Sequence, residues 1–121
     1  TALGVEQAAS HATDLRERGI KLIVADTDSR IAPQAALKLL AAEGITSVFL
    51  EAGPQLASAF LEADSVDTLY WYRSDKLFGG GEPALSGMAE RSLAKSSRLA
   101  HTRRVAYGSN QLDIYDTCSP S

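Results

Sequence analysis

Glu51-Ala52-Gly53-Pro54 is the stretch whose residue types and spacing are best suited to chemistry. The apolar run Val48-Phe49-Leu50 leads into a carboxylate, then two small residues, then a proline. Small residues let a ligand come close to the backbone. Proline favours the first position of a helix. A helix N-terminus offers unpaired N–H groups and partial positive charge, which suit a phosphate. With Val48–Leu50 as a strand, Glu51 stands at its carboxyl end, where open α/β sheets take their ligands. The combination predicts a ligand site.

Other candidates are weaker. Gly79-Gly80-Gly81 has the composition of a phosphate cradle but reads first as a loop. Asp26 and Asp28 read as a solvated turn with Asx bonds rather than an acidic site. In Tyr70-Trp71-Tyr72, alternation sends the tyrosines to one face and Trp71 to the other, which suits a core or subunit interface. Arg98, Arg103 and Arg104 read as a solvated strand edge rather than an anion patch. His11 and His101 lack partners at ligand spacing, and Cys118 stands alone near the tail. No metal site is expected.

The positioning elements follow from periodicity and punctuation. Val5 to Arg18 reads as a helix, with Val5, Ala8, Ala12 and Leu15 at helical spacing and Gly19 as its stop. Lys21–Ala25, apolar from Leu22 onward, has the pattern of a buried parallel strand. Pro33 opens a second helix with an inner stripe of Ala36, Leu37, Leu40 and Ala41, and Gly44 ends it. Ser47–Leu50 reads as a second buried strand. Pro54 opens a third helix that faces Leu56, Phe60 and Ala63 inward and closes at Asp64-Ser65. Val66–Arg73 is a strand, Leu77–Pro83 a loop, and Ala84–Ser97 has no clear pattern. Arg98–Tyr107 and Gln111–Thr117, joined by Gly108-Ser109-Asn110, read as a closing antiparallel hairpin. The expected fold is α/β: a three-layer, mostly parallel sheet flanked by helices, with a C-terminal antiparallel hairpin. A doubly wound fold usually begins with a strand. This chain begins with a helix and without Met, so it is expected to be the C-terminal part of a longer fold.

Bulk properties narrow the function. A chain of 121 residues makes one domain. A net charge of -3 argues against a dedicated nucleic-acid binder. One cysteine allows no intrachain disulfide, which fits a cytoplasmic location. No apolar run is long enough for a membrane span, and no signal peptide is visible.

Three motifs in order carry a resemblance: Glu51-Ala52-Gly53-Pro54-Gln55-Leu56, then Val66-Asp67-Thr68-Leu69, then Leu77-Phe78-Gly79-Gly80-Gly81. Their spacing resembles the C-terminal reductase domain of the bifunctional riboflavin-biosynthesis deaminase/reductase, whose fold is similar to dihydrofolate reductase. Gly19 to Ala42 also fits that family's glycine, strand, loop and helix. Glu51 favours the riboflavin pathway, because folate reductases usually carry an apolar residue there. The resemblance implies NADPH-dependent reduction of 5-amino-6-(5-phosphoribosylamino)uracil to its ribitylamino product. It implies that Glu51 contacts the substrate and that Gly53, Pro54, Gln55, Leu56, Ala57, Ser58 and Ala59 hold the NADPH phosphates. It also implies a homodimer acting on a small molecule, with no nucleic-acid or membrane partner.

Two departures stand out. Ala52 replaces the family's first glycine, and its methyl group is expected to crowd the pyrophosphate or strain the backbone. The family's reductase domain is longer on its N-terminal side, where a strand that begins the sheet, an Asp-Gly motif and further substrate and cofactor contacts are expected and are not found in this sequence. The family's zinc deaminase site is also not found: it needs Pro-Cys-x-x-Cys with a His or Cys and a Glu, which one cysteine and two histidines cannot supply. The alternatives are a pteridine or folate-type reductase of the same fold, and a non-catalytic nucleotide-binding or dimerisation module.

Overall fold

Proline starts two of the helices and a left-handed residue follows all three. The computed structural model describes residues 2–25, 30–77, 79–88 and 99–117, with side chains from Ala9 onward. Helix α1 spans Ala2–Glu17, α2 Pro33–Ala42 and α3 Pro54–Glu62. Pro33 and Pro54 occupy first turns, where a missing N–H is tolerated.

All three helices end in the same pair of reverse bonds. After α1, the Gly19 and Ile20 N–H groups donate to the Arg16 and Leu15 carbonyls. After α2, Gly44 and Ile45 donate to Ala41 and Leu40. After α3, Asp64 and Ser65 donate to Leu61 and Phe60. This is the Schellman motif, which needs a left-handed residue just past the helix. Gly19 and Gly44 supply it at φ +77° and +81°, and Asp64 supplies it at +47°.

The chain divides into two compact units, Thr1–Ile45 and Thr46–Ser121. The first holds α1 and α2. Ala12 and Leu15 are half-buried on α1, as are Ala36, Leu37 and Leu40 on α2, whereas Ala41 is exposed. Lys21 pairs with Glu43 just past α2.

The second unit holds α3 and a three-stranded antiparallel sheet. Its strands are β1 (Thr68–Arg73), β2 (Leu99–Tyr107) and β3 (Asn110–Thr117), in the order β1-β3-β2. Gly108-Ser109 closes the expected hairpin in two residues, with Tyr107 opposite Asn110. Gly108 has φ +59° and Ser109 does not share the positive φ, the pattern of a II′ turn with glycine first. Phe60 of α3 and Leu112 of β3 are the buried apolar side chains among the described residues. Leu56, expected inward, is exposed.

The parallel part of the expected sheet differs. Among the described residues, neither Lys21–Ala25 nor Ser47–Leu50 is paired in a strand. Val24 is 78% exposed and Phe49 72% exposed. An unbroken apolar run marks a segment suited to burial, but a strand exists only through the ladder of a neighbour. The sheet formed here is wholly antiparallel. Asp26, Asp28, Arg98, Cys118 and most of the unpatterned stretch lie outside the described residues.

Candidate functional site

The loop before α3 presents open polar groups. Gly53 is the N-cap residue, with φ −63° and ψ 167°, and no side chain caps the helix. The first helical bond runs from the Ala57 N–H to the Gly53 carbonyl at 3.1 Å. The N–H groups of Gln55 and Leu56 precede it, and Pro54 has none. These two donors, with the helix dipole behind them, form an anion-accepting end.

Glu51, Gly53, Gln55 and Leu56 are exposed, while Ala52, Pro54, Ala57 and Ala59 are half-buried. The expected strain at Ala52 is not found, since Asp64 is the non-glycine residue with positive φ among those described. Gly53 also has an ordinary φ, and a Cβ built there meets nothing within 4 Å. Neither the backbone conformation nor a close neighbour therefore requires glycine here, and the space above the loop is open. Ser58 turns the other way. It is buried, and its hydroxyl accepts a 2.9 Å bond from the Ser86 N–H. The structure thus brings Glu51, Gly53, Gln55 and Leu56 to the surface and commits the Ser58 side chain to a loop contact.

Of the other candidates, His11 is exposed on α1. Gly79 and Gly80 are exposed in a loop, and neither adopts a positive φ. Arg103 and Arg104 do not form one patch, because Arg103 lies opposite Ile114 and Arg104 opposite Asp113, on alternate faces of the sheet.

Sequence reasoning missed a polar cluster on that sheet. The Asp113 side chain is fully buried and receives four contacts. Arg73 Nη2 donates to Oδ2 at 2.6 Å and Gln111 Nε2 to Oδ2 at 2.8 Å. Arg104 Nε donates to Oδ1 at 2.6 Å, and His101 Nε2 lies 3.1 Å from Oδ1. The Arg104 bond, aided by those of Gln111, Arg73 and His101, holds the carboxyl far below the usual carboxylate range against the cost of desolvation. Reciprocally, the bond to Asp113 raises the Arg104 guanidinium pKa.

Register explains the convergence. Asp113 faces Trp71 on β1 and Arg104 on β2, and Gln111 faces Arg73 and Ala106. His101, an odd number of positions before Arg104, would ordinarily project to the other face. A register shift between His101 and Arg103 places His101 opposite Tyr115, on the Asp113 face. Thr102, the extra residue, donates its hydroxyl to the Ile114 carbonyl at 3.1 Å.

Among the described residues, no group of three His, Cys, Asp or Glu is placed to hold a metal ion. Nor is any described helix long and apolar enough to cross a membrane.

Residues 5–109 match the family model described as the RibD C-terminal domain. The riboflavin biosynthesis protein RibD of Bacillus amyloliquefaciens is 33% identical over 92 residues, covering 74% of this chain and 24% of that protein. Two structures of Acinetobacter baumannii RibD, forms 1 and 2, superpose with a TM-score of 0.70 at 20% identity, covering 88% of this chain and 29% of theirs. The chain therefore spans about a quarter of the length of these relatives, and it belongs to the RibD C-terminal domain family.

Proposed function

We propose that this chain forms the C-terminal part of an NADPH-dependent reductase domain in riboflavin biosynthesis. In this reading the domain reduces 5-amino-6-(5-phosphoribosylamino)uracil to the ribitylamino product. The observation that carries the reading is the uncapped N-terminus of α3 beside an exposed carboxylate, in a chain of this family. The same domain is read as a cytoplasmic homodimer, and residues 1–121 as one piece of it.

The residues present fit a pyridine dinucleotide. The Gln55 and Leu56 N–H groups suit a phosphate, and the space above Gly53 lets it approach. The flanking segment from Gly53 through Ala59, with Pro54 and Ala57, forms the rest of the proposed cradle, and Ser58 contributes through the helix rather than its hydroxyl. When bound, the nicotinamide supplies a hydride to the sugar carbon. Glu51 is assigned to the ribose portion of the substrate, where a carboxylate accepts hydrogen bonds from hydroxyl groups and fixes the sugar's orientation. The comparison with folate-type reductases also rests on Glu51, since a carboxylate here suits a polyhydroxyl substrate.

The test uses the full-length parent protein. Glu51→Gln should lower kcat/KM for the ribosyl substrate by about 10- to 100-fold, the range for a lost bond to a charged group. NADPH affinity should change by less than about twofold. Equal losses in both, or unchanged turnover, would reject the assignment and favour a passive module. Calorimetric titration with NADPH, and with NADH as control, tests the cofactor separately.

A further inference from the structure

On the sheet face that carries Asp113, more positive charge is gathered than the carboxylate can neutralise. Arg73 and Arg104 both bond Asp113, giving that trio a net charge of one positive unit, before any proton on His101 is counted. Each guanidinium commits one nitrogen to the carboxylate: Nη2 for Arg73 and Nε for Arg104. Oδ2 is shared by Arg73 and Gln111, and Oδ1 by Arg104 and His101. The carboxylate is saturated, so neither arginine can use its full fork on it. Among the described residues, the Nη pair of Arg104 remains as a fork for another acceptor, and Arg73 keeps Nη1 and Nε as two separate donors. Paired N–H groups of this kind match the oxygens of phosphate.

The exposure pattern fits a receptor rather than a sealed ion pair. Asp113 has no exposed surface, whereas the side chains of Arg73, His101 and Arg104 are 51%, 44% and 55% exposed. The two guanidiniums and the imidazole thus form a solvent-facing layer over a buried anchor. The anchor fixes their positions, which lowers the ordering cost of binding. Tyr115 steadies the imidazole further, ring to ring at 5.3 Å and 64°. This face is also distinct from the one that meets the loop before α3. Phe49, two residues before Glu51, packs against Tyr70 at 6.2 Å, and Tyr70 is directed opposite to its neighbour Trp71, the partner of Asp113.

We propose that Arg73, Arg104 and His101, organised by Asp113, form a second anion site that takes a phosphate dianion, free or as a sugar ester. The site does not depend on the assignment of Glu51 or of the Gly53 loop. Its exposure and the screening of its charges by water place its affinity in the millimolar range, with a Kd of about 1–10 mM.

The test is side-chain NMR of arginine Nε–H groups in the whole chain, titrated with inorganic phosphate against chloride at equal ionic strength. Saturable shifts at Arg73 and Arg104 with phosphate, absent with chloride, are expected. Both lysine variants retain charge; Arg104→Lys loses the free fork and Arg73→Lys loses two of its fixed donors, and each should weaken binding severalfold while the chain stays folded. The double variant Arg73→Gln/Arg104→Gln should abolish saturation, with folding checked by the backbone spectrum. Ribose 5-phosphate supplies the second arm. Tighter binding of the ester assigns the site to sugar phosphates, and equal binding assigns it to free phosphate. A linear drift that is the same in phosphate and chloride would overturn the proposal. So would undiminished binding by either lysine variant, since their folding needs no loss of charge.

Discussion

At the start of α3, Glu51 is exposed and the N–H groups of Gln55 and Leu56 precede the first helical bond, with no side chain capping them. On the sheet, Asp113 is sealed from solvent and takes four contacts from three strands. Both regions centre on a carboxylate, yet they leave opposite things unsatisfied. The loop leaves acceptor and donors open, which is what the proposed substrate and cofactor would complete. The sheet satisfies its carboxylate completely and leaves the surplus on the cations above it. A polar group's chemistry is thus set less by its type than by how many partners the fold has already given it.

The largest effect separating the two regions is expected at Asp113. Asp113→Asn removes the charge that holds Arg73 and Arg104 together and leaves two guanidiniums repelling across β3. Thermal unfolding should shift down by many degrees, whereas Glu51→Gln should leave it nearly unchanged. The pH dependence gives an independent check. The folded pKa of Asp113 is depressed below its ordinary value of 3.8. A depressed carboxylate contributes stability above its unfolded pKa and loses it as pH falls toward the folded value. Stability should therefore be level in this respect above about pH 5 and should erode below about pH 4. Urea titrations from pH 6 to pH 2 should show a shallower acid loss in Asp113→Asn. An identical acid limb in both proteins would remove Asp113 from the explanation.

Ser58 tests the boundary between fold and site within α3. Its hydroxyl is buried and receives the Ser86 N–H. Ser58→Ala leaves that N–H without a partner, at a cost of roughly 1–3 kcal/mol. Chemical denaturation should register this loss while nucleotide affinity stays close to that of the unaltered chain. A selective loss of affinity with unchanged stability would instead place the hydroxyl in the ligand site.

What was legible in the sequence follows the same division. Local chemistry could be read: Pro33 and Pro54 opened helices, Gly19 and Gly44 closed them, and Gly108-Ser109 turned the hairpin. Even part of the sheet cluster was within reach. Counting outward from a two-residue turn puts Arg104 opposite Asp113, and alternation adds Gln111 to that face. Arg73 was not reachable, since the β1 register is set across some forty residues of intervening chain. His101 was hidden by the bulge at Thr102, which reverses the parity on which alternation depends. The apolar runs at Lys21–Ala25 and Ser47–Leu50 were found as segments, but their pairing was a long-range property that no local pattern encodes. The loop at Glu51 was legible because carboxylate, small residues and proline are all local signals.

Gly53 provides the smallest effect on stability and the sharpest test of what the loop is for. Its φ of −63° is open to any residue, and an added Cβ meets nothing within 4 Å. Two backbone effects then oppose each other in Gly53→Ala. Alanine is a poorer N-cap than glycine by about 0.5 kcal/mol. Its smaller freedom in the unfolded chain returns about 0.4–1 kcal/mol. Net stability should therefore move by no more than about 0.5 kcal/mol. If the space above Gly53 receives a phosphate, the same methyl group stands in its path, and NADPH affinity should fall by about tenfold. The variant reads ligand approach with the fold held constant, as no change at Asp113 can, because Asp113 anchors the very side chains that form the binding surface. Unchanged NADPH affinity in a folded Gly53→Ala protein would mean that glycine at this position serves neither backbone nor ligand, and the phosphate would have to be sought elsewhere.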